Sequence, residues 1–291
     1  MPPERHAAGT WLLSAAFIFI WATGFIVARL ARPHADPFTF LSLRYAFGIA
    51  VFGIASLLLR AAWPRDWRTW RDAAIAGVLL HGLYIGGVFW AIWQGLPAGV
   101  TALVTALHPL LTALVARPML GERLGARQWG GIALGLAGVA LVVAPALRAS
   151  QGVDALALAA AFGATLALSV GTVWQKYSRP VADLRVNATM QFLGALVLTA
   201  PVALLTEAGR FDGSLEAWGA LAWAVIVISV GAISLLLVLL RRGAATRVAP
   251  LMYLAPPVAA GIAWLLFDER LEAVQLAGAA LTIAGAYAAR R

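Results

Sequence analysis

The sequence predicts an all-α membrane protein with ten transmembrane helices, built as two inverted five-helix repeats with both termini cytoplasmic. Three observations lead there. Hydrophobic residues make up 62% of the 291 and charged residues 12%, with a mean hydropathy of +0.85. A soluble domain is nearer half apolar and a quarter charged. The apolar stretches run close to the ~20 residues that a helix needs to cross a bilayer core. Third, Pro109…Gly121-Glu122-Arg123-Leu124…Gln128…Gly131…Gly138 returns as Pro256…Asp268-Glu269-Arg270-Leu271…Gln275…Gly278…Gly285, every partner lying 147 positions on. That offset is half the chain, so residues 1–147 and 148–291 read as one membrane unit written twice.

Punctuation divides the chain into spans near 10–31, 38–59, 73–95, 98–117, 127–146, 153–175, 186–206, 217–239, 246–266 and 272–289. Breaks fall at Arg32-Pro33, Trp63-Pro64-Arg65-Asp66, Leu96-Pro97, Gly121-Glu122-Arg123, Ala144-Pro145, Arg179-Pro180 and Arg241-Arg242-Gly243, where proline, glycine and charge interrupt apolar runs. Basic residues orient the chain. With the N-terminus inside, only Arg29, Arg32, Arg148, Arg210 and Arg270 face outward, Arg44 lies within the second span, and the other basic residues are cytoplasmic. Five spans per copy is an odd number, so the second copy starts on the opposite side and runs inverted. The first apolar stretch is long enough to persist as a span, and no cleavable leader is expected.

Composition also excludes. The net charge of +9 is scattered between apolar spans rather than clustered, which argues topology and not nucleic acid. The chain has no cysteine, so disulfides and thiolate chemistry are ruled out. All 13 carboxylates sit in loops or at span ends. Ion-coupled carriers usually hold an ionisable group within the membrane, and here only Arg44, His81 and His108 qualify. Transport is therefore expected either to be uncoupled or to use a histidine.

Polar residues form stripes. Thr101, Thr105, His108 and Thr112 on the fourth span share one helical face, as do Thr165, Ser169, Thr172 and Lys176 on the sixth. His81 and Tyr84 lie three apart on the third. Such residues can line a path, or they can bond their own helix carbonyls and glue neighbouring helices. Trp11, Trp63, Trp67, Trp70 and Trp218 read as interfacial anchors, while Trp21, Trp90, Trp174 and Tyr253 are placed more deeply. An aromatic lining suits an amphipathic substrate with a planar face. Pro109 and Pro256-Pro257 sit inside the fourth and ninth spans as candidate hinges. Gly131, Gly135 and Gly138, with Gly278 and Gly285, allow close helix packing or a dimer surface on spans five and ten. Arg44 costs roughly 2.5–3.5 kcal/mol on insertion scales; snorkelling to an edge is expected ahead of direct substrate contact.

Trp21-Ala22-Thr23-Gly24-Phe25, Arg44 and the stretches Ala106–Gly138 and Leu254–Gly285 resemble the EamA-type branch of the drug/metabolite transporter superfamily. Within it the chain is most similar to YddG-like aromatic amino acid exporters. The resemblance implies a central cavity lined by spans 1, 3, 4, 6, 8 and 9. The candidate lining is Trp21, Gly24, His81, Tyr84, Trp90, Thr101, Thr105, His108, Ser169, Thr172, Trp174 and Tyr253. It also implies alternating-access export of small amphipathic metabolites, amino acids and aromatic ones foremost, from a bacterial inner membrane. Two departures stand out: the second copy has Leu168-Ser169-Val170-Gly171-Thr172 in place of the tryptophan motif, and Gln191 where the first has Arg44. No metal, cofactor or nucleic acid is expected, and partners are the substrate and lipid, with the chain a monomer or weak homodimer. A drug or nucleoside exporter is the alternative within transport. An intramembrane enzyme is the alternative outside it, but no serine–base pair with an oxyanion hole, metal cluster or phosphate-binding loop is legible.

Overall fold

The computed structural model describes residues 3–120, 125–148, 154–178, 181, 183–241 and 254–288, and among these every regular element is helical. Helix is what apolar chain adopts in lipid, because only there are all backbone groups satisfied within the segment. In order they are α1 (Pro3–Ala31), α2 (Pro37–Leu58), α3 (Trp67–Gly77), a π-helical stretch π1 (Val78–Leu83), α4 (Tyr84–Trp93), α5 (Ala98–Thr105), α6 (His108–Leu120), α7 (Ala126–Arg148), α8 (Ala155–Ser178), α9 (Leu184–Thr206), α10 (Leu215–Ala222), a second π stretch π2 (Trp223–Gly231), α11 (Ala232–Arg241), α12 (Ala255–Phe267) and α13 (Ala273–Ala288). Seven helical runs, from Leu12–Ala31 to Leu184–Thr206, are long and apolar enough to cross a membrane. Leu215–Gly231, Ala255–Phe267 and Ala273–Ala288 are shorter apolar helices.

Local chemistry explains where the helices begin. Asp66 Oδ1 accepts from Thr69 N at 2.8 Å and starts α3, six residues before the expected start of the third span. Its carboxyl is held below the usual range by those bonds to Thr69. Asp183 caps α9 through Arg185 N at 2.9 Å, and Ser214 caps α10 through Ala217 N at 3.2 Å. The α2 N-terminus is capped from across the bundle: Glu207 accepts from Phe38 N and Thr39 N, each at 2.8 Å. Two caps repeat at the 147 offset. Gly125 N donates to Gln128 Oε1 and Glu272 N to Gln275 Oε1, both at 2.9 Å.

Two expected features need correction. Ala144-Pro145 does not break the chain; α7 runs through Pro145 to Arg148, close enough to its end that one lost hydrogen bond is tolerated. The fourth span is not one kinked helix. It is interrupted at Ala106–Leu107, and α6 restarts at His108 with Pro109 as its second residue, where a missing N–H costs nothing.

The α7–α13 pair is joined by the glycines. A Cβ on Gly138 would lie 2.5 Å from Thr282 N and 2.6 Å from Gly278 O. One on Gly285 would lie 2.5 Å from Gly131 O and Gly135 N. Gln275 Nε2 donates to Val142 O at 3.0 Å. As position rises on α7 it falls on α13, so the two run antiparallel, and the contact 138–278 is the repeat image of 285–131. The glycine faces thus serve packing within the chain. α2 and α9 also run antiparallel, with Gly48 against Phe192 and Ser42 Oγ donating to Thr199 Oγ1 at 3.2 Å.

Candidate functional site: an interrupted-helix centre with one sealed end

One end of the bundle is knitted shut. Asp36 N bonds Arg210 O at 2.9 Å and Arg210 N bonds Asp36 Oδ2 at 2.9 Å. His34 Nδ1 sits 2.7 Å from Asp212 Oδ2, and bonds from Ser214 and His34 pull the Asp212 carboxyl down to about 2. Arg32 Nε donates to Trp93 O at 2.8 Å. Glu269 accepts from Gly99 N at 3.1 Å at the start of α5 and lies 3.5 Å from Arg29 Nε, joining α1, α5 and the α12–α13 connection. Burial and the neighbouring Arg29 charge lower the Arg32 pKa.

The opposite end holds a small polar cleft lined by Thr69, Asp72, Gln175, Ser178, Asn187 and Gln191, with Ala73, Ala76 and Val181. Trp174 borders it, its Nε1 donating to Asp72 O at 3.0 Å and its ring 5.8 Å from Tyr177.

Between these ends the two copies carry π turns and proline-led helix starts at matching places. π1 shifted by 147 falls within π2, and the starts of α6 and α12, His108 and Ala255, are the same distance apart. π-helical insertions inside α-helices occur frequently at functional sites. Pro256 and Pro257 occupy the first turn of α12 as Pro109 does that of α6.

The two polar stripes meet at His108. Its Nδ1 lies 3.1 Å from Ser169 Oγ and 3.2 Å from Thr112 Oγ1, and Ser169 Oγ reaches His108 O at 3.1 Å. Much of the remaining stripe bonds its own helix: Thr101 to Pro97 O, Thr105 to Thr101 O, Thr165 to Ala161 O and Thr172 to Leu168 O. Thr101 and Ser169 are fully buried, whereas Thr105, His108 and Thr172 are partly exposed. His81 lies in π1, partly exposed, with Nδ1 unpartnered and its carbonyl accepting from Tyr45 Oη at 2.8 Å. Tyr84 is buried one turn on and Trp90 is partly exposed. Trp21 packs 6.0 Å from Phe17 beside Leu235 and Leu239. Gly24 faces open space, nothing lying within 4 Å of a Cβ there. Tyr253 and the Gly121-Glu122-Arg123 turn lie outside the described residues.

Sequence reading missed a second polar centre, around Arg44. Arg44 does not snorkel. It is 4% exposed, and its Nη2 donates to Ser229 Oγ of π2 at 3.3 Å. The π turns have no composition signal, which is why Ser229 was not singled out. The internal repeat offered a partial one, since Gln191, the residue equivalent to Arg44, is buried beside π1.

These features define a multi-pass membrane protein of the transporter class, two halves packed around interrupted helices. The chain belongs to the EamA-like transporter family, whose description matches residues 8–144 and again 155–290. It is 26% identical to a probable amino-acid metabolite efflux pump of Escherichia coli, over 95% of this chain and 93% of that protein. The uncharacterized transporter YvbV of Bacillus subtilis is 25% identical over 97% of this chain and 90% of that one. A solved crystal structure with 25% sequence identity matches with a TM-score of 0.65, covering 97% of this chain and 96% of the other.

Proposed function

We propose that this protein exports small amphipathic metabolites, amino acids and particularly aromatic ones, across a bacterial inner membrane by alternating access. The observation that carries the reading is a matched set of irregularities: π1 and π2, and the proline-led starts of α6 and α12. Broken helices at equivalent places in two repeats are where transporters bind and move. The reciprocal 138–278 and 285–131 contacts between antiparallel α7 and α13 support an inverted pair of repeats, hence ten spans with both termini inside. In that orientation the knitted end faces outward and the small polar cleft faces the cytoplasm, in keeping with an inward-facing state. The similarity to an amino-acid metabolite efflux pump supports the cargo class. Trp21, Gly24, His81, Tyr84, Trp90, Thr105, His108, Thr172 and Trp174 are proposed to line the path on the side chains placed above.

Overexpressing cells should resist toxic amino acid analogues, and liposomes carrying the purified protein should release labelled phenylalanine or tryptophan faster than empty ones. Lack of release for every amino acid tested would overturn the cargo. A pH gradient should drive accumulation only while His81 and His108 are present; strong gradient-driven accumulation by the His81→Asn/His108→Asn double variant would refute a histidine-based coupling.

A further inference from the structure

Arg44 carries a fixed positive charge in the middle of α2, and the described residues supply no negative one to meet it. A guanidinium has five N–H donors and no practical means of losing its proton. Here it makes one hydrogen bond, to Ser229 Oγ at 3.3 Å, and that hydroxyl gives its own proton to Ala224 O at 3.0 Å. Nε is buried with no partner. The ring of Tyr45 lies 6.0 Å away, at the limit of a cation–π contact. The carboxylates that could neutralise it are engaged at the bundle ends, Glu269 with Arg29, Asp36 with Arg210 and Asp183 with Arg185. Beside it, His81 has a side-chain hydrogen bond with Gln191, but its Nδ1 is buried and unbonded, the ring 6.1 Å from that of Tyr45 and 5.0 Å from that of Phe192.

An uncompensated cation in an apolar interior is costly, and chains retain one where it pairs with something that arrives. The internal repeat sharpens the point. The equivalent position, 147 on, is Gln191, which is buried and lines the cleft. One half of the molecule therefore does with a neutral amide what the other does with a charge, so the fold does not require the charge. We propose that Arg44 is the anion-binding group of the transport site, holding the carboxylate of the substrate through Nε and the free Nη while Tyr45, Phe192 and Tyr84 supply the apolar wall. Charge-assisted pairing of a guanidinium fork with a carboxylate is strong and directional. With no acid alongside, an ammonium group has only hydroxyls, carbonyls and rings to meet. The site then selects for a carboxylate on an apolar body and does not demand an amine, so monocarboxylates and zwitterions both fit and cationic amines do not. This inference rests on the exporter reading and narrows its substrate class.

The test uses acid–amide pairs, phenylacetate with phenylacetamide and phenylalanine with its amide, bound to purified full-length protein and followed by tryptophan fluorescence or thermal shift. Each acid should bind the wild type about tenfold or more tightly than its amide, since a buried polar group left unpaired penalises the analogue. Arg44→Gln, the residue the chain already carries at 191, should erase that advantage and leave amide binding unchanged. Arg44→Lys should retain part of it. Equal binding of acid and amide by the wild type overturns the assignment without any variant. So does an Arg44→Gln protein that keeps the preference, or one that loses acid and amide together. The same protein in liposomes reads the exporter proposal separately: release of cargo with no acid preference leaves that reading standing and removes Arg44 from it, whereas acid-selective binding with no flux of any solute does the reverse.

Discussion

Gly285 and Gly24 show how differently one residue type can be used. A Cβ at 285 would stand 2.5 Å from backbone atoms of Gly131 and Gly135, which cannot yield as a side-chain end can. Small residues at such crossings let backbones meet, and without a hydrophobic drive between helices in lipid that packing is what holds them. Gly285→Val should therefore lower the thermal stability of the detergent-purified protein by an amount in the overpacking range of ~1–3 kcal/mol, whereas Gly24→Ala, facing open space, should leave it unchanged. Equal unfolding temperatures for wild type and Gly285→Val would contradict the crossing. The glycine spacing was legible in the sequence; the choice between internal packing and a dimer surface was not, because it depends on which helix arrives opposite. Asp212 belongs to this scale too. Its carboxyl is depressed to about 2 by bonds to Ser214 and His34, so the folded state favours the ionised form. The stabilisation is fully present above the ordinary value of about 4 and is lost as pH falls from there toward about 2. The difference in unfolding temperature between wild type and Asp212→Asn should hold steady from about pH 7 to 5 and shrink below about pH 4. A difference that grows on acidification would have the wrong sign.

Helix starts were legible to within about two residues where Asp183 and Ser214 write a local cap, but Asp66 starts α3 six residues before the expected span. The start of α2 was legible to within about one residue as well, although its cap, Glu207 at a separation of 169 residues, was not. The π turns escaped altogether, because Val78–Leu83 and Trp223–Gly231 are as apolar as the helix around them. What marks them is a partner: Tyr45 holds the His81 carbonyl and Arg44 the Ser229 hydroxyl. The restart at α6 is different, since its cause is written in the chain. Proline at 109 removes the N–H that would bond the Thr105 carbonyl and close the helix across Ala106–Leu107. Pro109→Ala restores that donor. It should lengthen α5 into α6, raise the unfolding temperature or leave it level, and slow liposome flux severalfold, because a continuous rod has lost its joint. A variant with wild-type flux would show that the interruption is not where the molecule moves.

The 147-residue offset is the strongest whole-molecule signal, and the residues it matched have matching roles: Gln128 and Gln275 each cap their own helix, and Gly131 and Gly138 meet Gly285 and Gly278 across one crossing. It foresaw less where the copies have diverged. Arg44 and Gln191 occupy equivalent places with unequal charge, and only contacts reveal that each lies against the opposite half, Arg44 at π2 and Gln191 beside Gly77 at the start of π1. Antiparallel packing of equivalent helices requires a twofold axis lying across them, and a membrane normal to the helices then places equivalent loops on opposite faces. Arg65 and Glu216 test this directly, because both are exposed, Arg65 in the α2–α3 connection and Glu216 in the first turn of α10, just after the equivalent α9–α10 connection. The native chain has no cysteine, so each single-cysteine variant carries one reactive site on a silent background. An impermeant maleimide added to whole cells with a permeable outer membrane should label Glu216→Cys, and Arg65→Cys should react only after the inner membrane is opened. If both label from the same side, the halves are parallel, the matched interruptions cannot open alternately to the two faces, and export by exchange of equivalent states is impossible for this fold.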